Sequence, residues 1–119
     1  MAEEEVVRLT PTTATLRELY LKSGNQCAYT SCTARMIDSE GNFVGQVCHI
    51  EAAMPGGERF NPDMTNEERR HISNLMLMCY EHHIATNSVD EYPVERLKVM
   101  KQAHENKFAE HYLKTGTIC

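Results

Sequence analysis

Four residues in two short pairs offer the chain's most specific chemistry: Cys27 and Cys32 in a C-x4-C arrangement, Cys79 and His82 in C-x2-H. Three thiolates and an imidazole form a donor set that suits tetrahedral Zn2+, and a tight loop can turn either pair toward one ion. All four positions are filled by protein, so this zinc is expected to be structural and closed to substrate. Such an ion can add on the order of 10 kcal/mol to the folding of a small domain. His83 is left over beside a zinc ligand. Successive residues on a helix diverge by about 100°, so it points elsewhere, and Asn87, four positions on, is expected on the His83 face. An imidazole and an amide carbonyl can hold a divalent cation, Mg2+ or Mn2+, with its other positions left to water and phosphate oxygens. His49, at the end of a separate apolar run, could act as general base beside that cation.

These groups fall within residues 45–87, and the surrounding sequence predicts the elements that position them. Pro11, Thr12 and Thr13 cap an amphipathic helix running to Ser23, with Leu16, Leu19 and Tyr20 at helical spacing and Gly24 as its stop. Residues 43–50 have the β-branched content of a strand that would deliver His49. Residues 51–63 carry too many Pro, Gly and Asn for a regular element. Thr65 and Glu68 fit a capping box, which predicts a short helix to about His71. Asn74 precedes the apolar run 75–78, read as a buried strand with Met76 and Met78 as core, and a new helix from Cys79 carries His82, His83 and Asn87. Pro93 opens a long helix with a stripe of Val94, Leu97, Met100, His104, Phe108 and Tyr112, an exposed Glu110–Lys114 pair and an end at Gly116. His71, His104 and His111 are read as helix residues, and Cys119 as a terminal thiol.

The 119 residues suit one domain, 1–119, of α+β class, with residues 1–10 and 115–119 expected to be flexible. The formal net charge of −5 argues against binding nucleic acid by bulk phosphate neutralisation, although Arg59, Arg69 and Arg70 form a local basic group. With no Trp and three Phe, a base-stacking platform is not evident. No apolar run of about 18 residues predicts a membrane span, and the acidic start lacks a secretory signal. Five cysteines with metal-like spacing place the chain in a reducing cytoplasm rather than a disulfide framework.

His49 in Cys48-His49-Ile50-Glu51, Asn74 in Ser73-Asn74-Leu75-Met76 and His83 in Cys79-Tyr80-Glu81-His82-His83 resemble the three signature positions of the HNH endonucleases. Residues 55–70 and Tyr92-Pro93-Val94-Glu95-Arg96-Leu97 are similar to a bacterial subgroup, the nuclease effectors of anti-phage proteins activated by cyclic oligonucleotides. The resemblance covers about residues 16–109. It implies a zinc-stabilised ββα-metal core flanked by an N-terminal and a long C-terminal helix. It also implies hydrolysis of DNA phosphodiester bonds, with double-stranded DNA as partner and little sequence specificity. His49 would be the general base, Asn74 would tie the loop that aims it, and His83 with Asn87 would hold Mg2+ or Mn2+. Arg59, Arg69 and Arg70 would contact phosphates, and a homodimer or fusion to a sensor domain would regulate the activity. Two positions depart from the pattern. Cys48 stands where many members carry a metal-binding Asp, and His82 where a second knuckle Cys is common. The competing expectation is a zinc-stabilised module that binds nucleic acid or protein without catalysis, and residues 115–119 would also suit a severed linker.

Overall fold

Thr12 opens the first helix, α1 (Thr13–Ser23), by accepting a hydrogen bond from Thr15 N, and Gly24 closes it in the left-handed region at φ 59°. A Cβ at Gly24 would collide with the Phe108 ring, so glycine serves both the turn and the packing there. These bounds are the expected ones. The computed structural model describes residues 4–109. The Glu110–Lys114 pair, His111, Tyr112, the helix end at Gly116, Cys119 and residues 115–119 lie outside them.

A two-stranded antiparallel sheet pairs β1 (Gln46–His49) with β2 (Leu75–Met78) in the register Gln46–Met78 through His49–Leu75. The strand expected over 43–50 is shorter because its first half pairs elsewhere. Val44 N donates to Met36 O (2.7 Å), and Phe43 forms an isolated bridge with Ile37. Every residue of β2 is buried, which accounts for its unbroken apolar sequence. Helix α1 packs on this strand, and Ala28 N donates to Leu77 O at 2.8 Å, drawing the Cys27 loop against the sheet. Leu19, Met36, Ile50, Leu97 and Met100 complete the core.

The capping box at Thr65 and Glu68 is fully formed and starts α2 (Asn66–Arg70). A single 3-10 turn (Ile72–Asn74) leads into β2. Cys79 then serves as N-cap of α3 (Tyr80–Ala85). Pro93 sits one position before α4 (Val94–Asn106), as its cap rather than its first residue, and Leu97, Met100 and His104 are buried along one face. The result is a small α+β domain. Among the described residues no helix is long and apolar enough to cross a membrane.

Residues 4–10 of the N-terminal segment make specific contacts with α2. Asn66 N donates to Glu4 Oε1 (2.8 Å), Asn66 Nδ2 to Glu5 O (2.8 Å), and Val7 N to Asn66 Oδ1 (3.1 Å). Arg70 adds a bond to Thr10 O at 2.9 Å. Buried Asn66 thus fastens the acidic segment to α2, a long-range pairing that no local pattern announces.

Candidate active site and metal centre

The ligand atoms of Cys27, Cys32, Cys79 and His82 all lie within 4.8 Å of one another. His82 Nδ1 stands 3.7 Å from Cys27 Sγ and 3.3 Å from Cys79 Sγ. A tetrahedral zinc ion, with bonds of about 2.3 Å to sulfur and 2.0 Å to nitrogen, separates S and N by about 3.5 Å, so these residues fit such an ion. Cys79 N and Tyr29 N both point at Cys27 Sγ, at 3.3 and 3.5 Å, and their dipoles favour a thiolate there. Burial, with a smaller contribution from neighbouring Cys32, pushes the Cys27 thiol up to about 12, and a bound cation would favour the thiolate. The Tyr29 ring stacks on His82 at 3.9 Å, and its hydroxyl meets that of Tyr92 at 2.5 Å. Tyr29 therefore fixes the imidazole plane. Its place inside the C-x4-C loop was the only signal of this role in the sequence.

One helical position further, His83 turns to the opposite neighbourhood. Its Nδ1 lies 3.2 Å from Cys48 Sγ, and both residues line a cleft of about 230 Å³ together with His49, Arg59, Thr86, Asn87 and Arg8. Burial pushes the Cys48 thiol up to about 12. Burial, and secondarily the charge of Arg8, holds the His49 imidazole below its ordinary value of 6.5, so it is neutral near pH 7 and able to accept a proton. Its Nε2 is buried without a hydrogen-bond partner in the described chain.

Asn74 does not line this cleft. It is 3% exposed, accepts Glu51 N at Oδ1 (2.9 Å) and donates from Nδ2 to Glu51 O (2.9 Å) and Arg69 O (2.8 Å). Ile50 N also donates to Asn74 O, at 2.8 Å. The chain leaving His49 is thereby locked to the entrance of β2.

No family model matches the chain, and none of the curated proteins compared with it matches either. The residues themselves carry the functional reading.

Asn87 reaches the cleft by a different route from the one its spacing suggested. Helix α3 stops at Ala85, and Asn87 N closes a turn onto Ile84 O at 3.1 Å, so the helical i,i+4 relation to His83 does not apply. Of the three arginines expected at phosphates, Arg59 and Arg69 are committed to main-chain and buried partners, whereas Arg70 stays at the surface. Arg59 donates to Ile50 O (2.6 Å), Thr86 O (2.8 Å) and Tyr92 O (3.2 Å). Arg69 is 2% exposed, bound to Asn66 Oδ1 and Asn61 O at 3.0 Å each, and stacked on Phe60. Arg70 pairs with Glu67 and Thr10 O. Main-chain carbonyls thus take up guanidinium N–H groups of all three residues. Arg8, in the N-terminal segment, lines the cleft beside Arg59.

Proposed function

We propose that this chain is a metal-dependent endonuclease of the HNH type, hydrolysing phosphodiester bonds of double-stranded DNA with little sequence preference. The observation that carries the reading is the meeting of His49 and His83 in one cleft, delivered by β1 and α3, while Asn74 holds the backbone behind His49. Two antiparallel strands followed by a short helix, beside a Cys3His cluster, suit a ββα-metal core.

In this reading neutral His49 removes a proton from a water molecule as its oxygen attacks phosphorus. The P–O3′ bond breaks and the leaving oxygen takes a proton from solvent, leaving a 5′-phosphate and a 3′-hydroxyl. His83, with Asn87 on the cleft wall, would hold a divalent cation, expected as Mg2+ or Mn2+, which supplies charge stabilisation at the phosphate and leaving oxygen. Asn74 is a positioning residue. Nicking of supercoiled plasmid by the purified chain, with an added divalent cation, tests the reading. His49→Ala should lower the rate by roughly 100-fold or more with zinc content and circular dichroism unchanged. Equal nicking by the variant would refute the role of His49.

The commitment of Arg59 and Arg69 to partners within the fold favours a second reading, a zinc-stabilised binding module without catalysis. Nicking that a chelator abolishes while the zinc stays bound would remove it. An effector role in anti-phage defence, and control by a sensor domain or a second copy, rest on the sequence resemblance and belong to the same proposal.

A further inference from the structure

The sulfur of Cys48 and Nδ1 of His83 face one another at 3.2 Å on the wall of the cleft, outside the Cys3His cluster. An ion shared by a thiolate and an imidazole, with bonds of about 2.3 and 2.0 Å, would place those two atoms about 3.1 Å apart at a right angle and about 3.5 Å apart at the tetrahedral angle. The observed separation falls between these values. Sulfur donors select borderline and soft cations, whereas Mg2+ takes oxygen ligands and gives up its water reluctantly.

We infer that Cys48 and His83 together ligate the cleft cation, and that this site takes a late first-row divalent metal of the zinc or cobalt class rather than Mg2+. The inference rests on the nuclease reading and narrows it to a metal class. Binding converts the Cys48 thiol to thiolate and releases one proton to solvent. The pair supplies two neighbouring donors on one side of the ion, and its remaining positions open on the cleft, where Asn87 and substrate oxygens can reach them. Cys48 is 6% exposed, so the sulfur is shielded from bulk water, which favours retention of a soft ion over a strongly hydrated one.

Cobalt spectroscopy on the full chain tests this. Protein carrying one zinc per chain is titrated anaerobically with Co2+, and zinc retention is checked by elemental analysis after desalting. Zinc outcompetes cobalt for the three-thiolate cluster, so added cobalt reports on the second site. The expected result is a second bound metal with a near-ultraviolet thiolate-to-cobalt charge-transfer band. The band should vanish in Cys48→Asp and His83→Ala, with the bound zinc unchanged, and His83→Ala should weaken the second cobalt by at least about 10-fold. Cys48→Asp should shift preference toward Mn2+, read from the free-manganese resonance. A second cobalt bound without a thiolate band overturns the role of Cys48 while leaving the nuclease reading intact. No second metal of any kind overturns both. The wild-type spectrum decides the matter even if a variant fails to fold.

Discussion

Asn74 and Glu51 are joined by a reciprocal pair of hydrogen bonds, side-chain oxygen to main-chain N–H and side-chain N–H to main-chain oxygen, each 2.9 Å long. A side chain here does the work of a third strand residue, fixing the chain just after His49. Replacing Asn74 with Ala strands the Glu51 amide and two carbonyls in a buried place. The expected loss is about 3 kcal/mol of unfolding free energy in a urea titration. Asn74→Asp should do no better, because a carboxylate cannot donate to the Glu51 and Arg69 carbonyls. A loss below about 1 kcal/mol in both variants would contradict this account.

Removing one zinc ligand should undo the fold around α3. Cys79→Ser is expected to purify with less than one zinc per chain and to lose cooperative unfolding, since structural zinc contributes on the order of 10 kcal/mol in small domains. Elemental analysis and circular dichroism report the two effects together. Full zinc content with a native melt in this variant would show that Cys79 is not one of the ligands.

Arg59 joins three segments through main-chain carbonyls of Ile50, Thr86 and Tyr92. Arg59→Ala is expected to cost about 2–3 kcal/mol, and Arg59→Lys should recover little, because one ammonium cannot reproduce the planar fork. Calorimetric melting temperatures measure both. Equal melting of the Lys variant and wild type would return Arg59 to the role of a solvent-facing charge.

His104 is buried in α4, with Nε2 2.9 Å from Ser23 O, and burial holds its imidazole below the ordinary value of 6.5. The unfolded chain therefore binds a proton first as pH falls. The stability associated with neutral His104 is fully present above 6.5 and is lost progressively as pH drops toward the lower folded-state value. His104→Gln keeps a donor near Ser23 and should flatten this part of the acid dependence in urea titrations. His49 titrates in the same sense, so some slope should survive. An unchanged slope in the variant would exclude His104 as its source.

Local order was largely legible in the residues. Thr12 and Gly24 bound α1, Thr65 and Glu68 form the capping box of α2, and Leu75 to Met78 read as a strand buried on both faces. Each is a short-range preference set by backbone hydrogen bonding or burial period. The paired spacing of Cys27, Cys32, Cys79 and His82 likewise sufficed for the Cys3His grouping, because few arrangements of thiols and imidazole bring four donors together.

Tertiary structure alone decided which neighbours those residues meet. Spacing could separate His82 from His83, yet not show that His83 would face Cys48 at 3.2 Å. Basic residues at the surface and basic residues bonded within the fold look alike in a sequence, and only the tertiary structure separates Arg59 and Arg69, which turn inward, from Arg70, which does not. Arg8 lines the cleft, and Asn66 captures the backbone around it. Donor types and local periods are written in the chain; the partners of each buried polar group follow only once distant segments compete for the same hydrogen bonds.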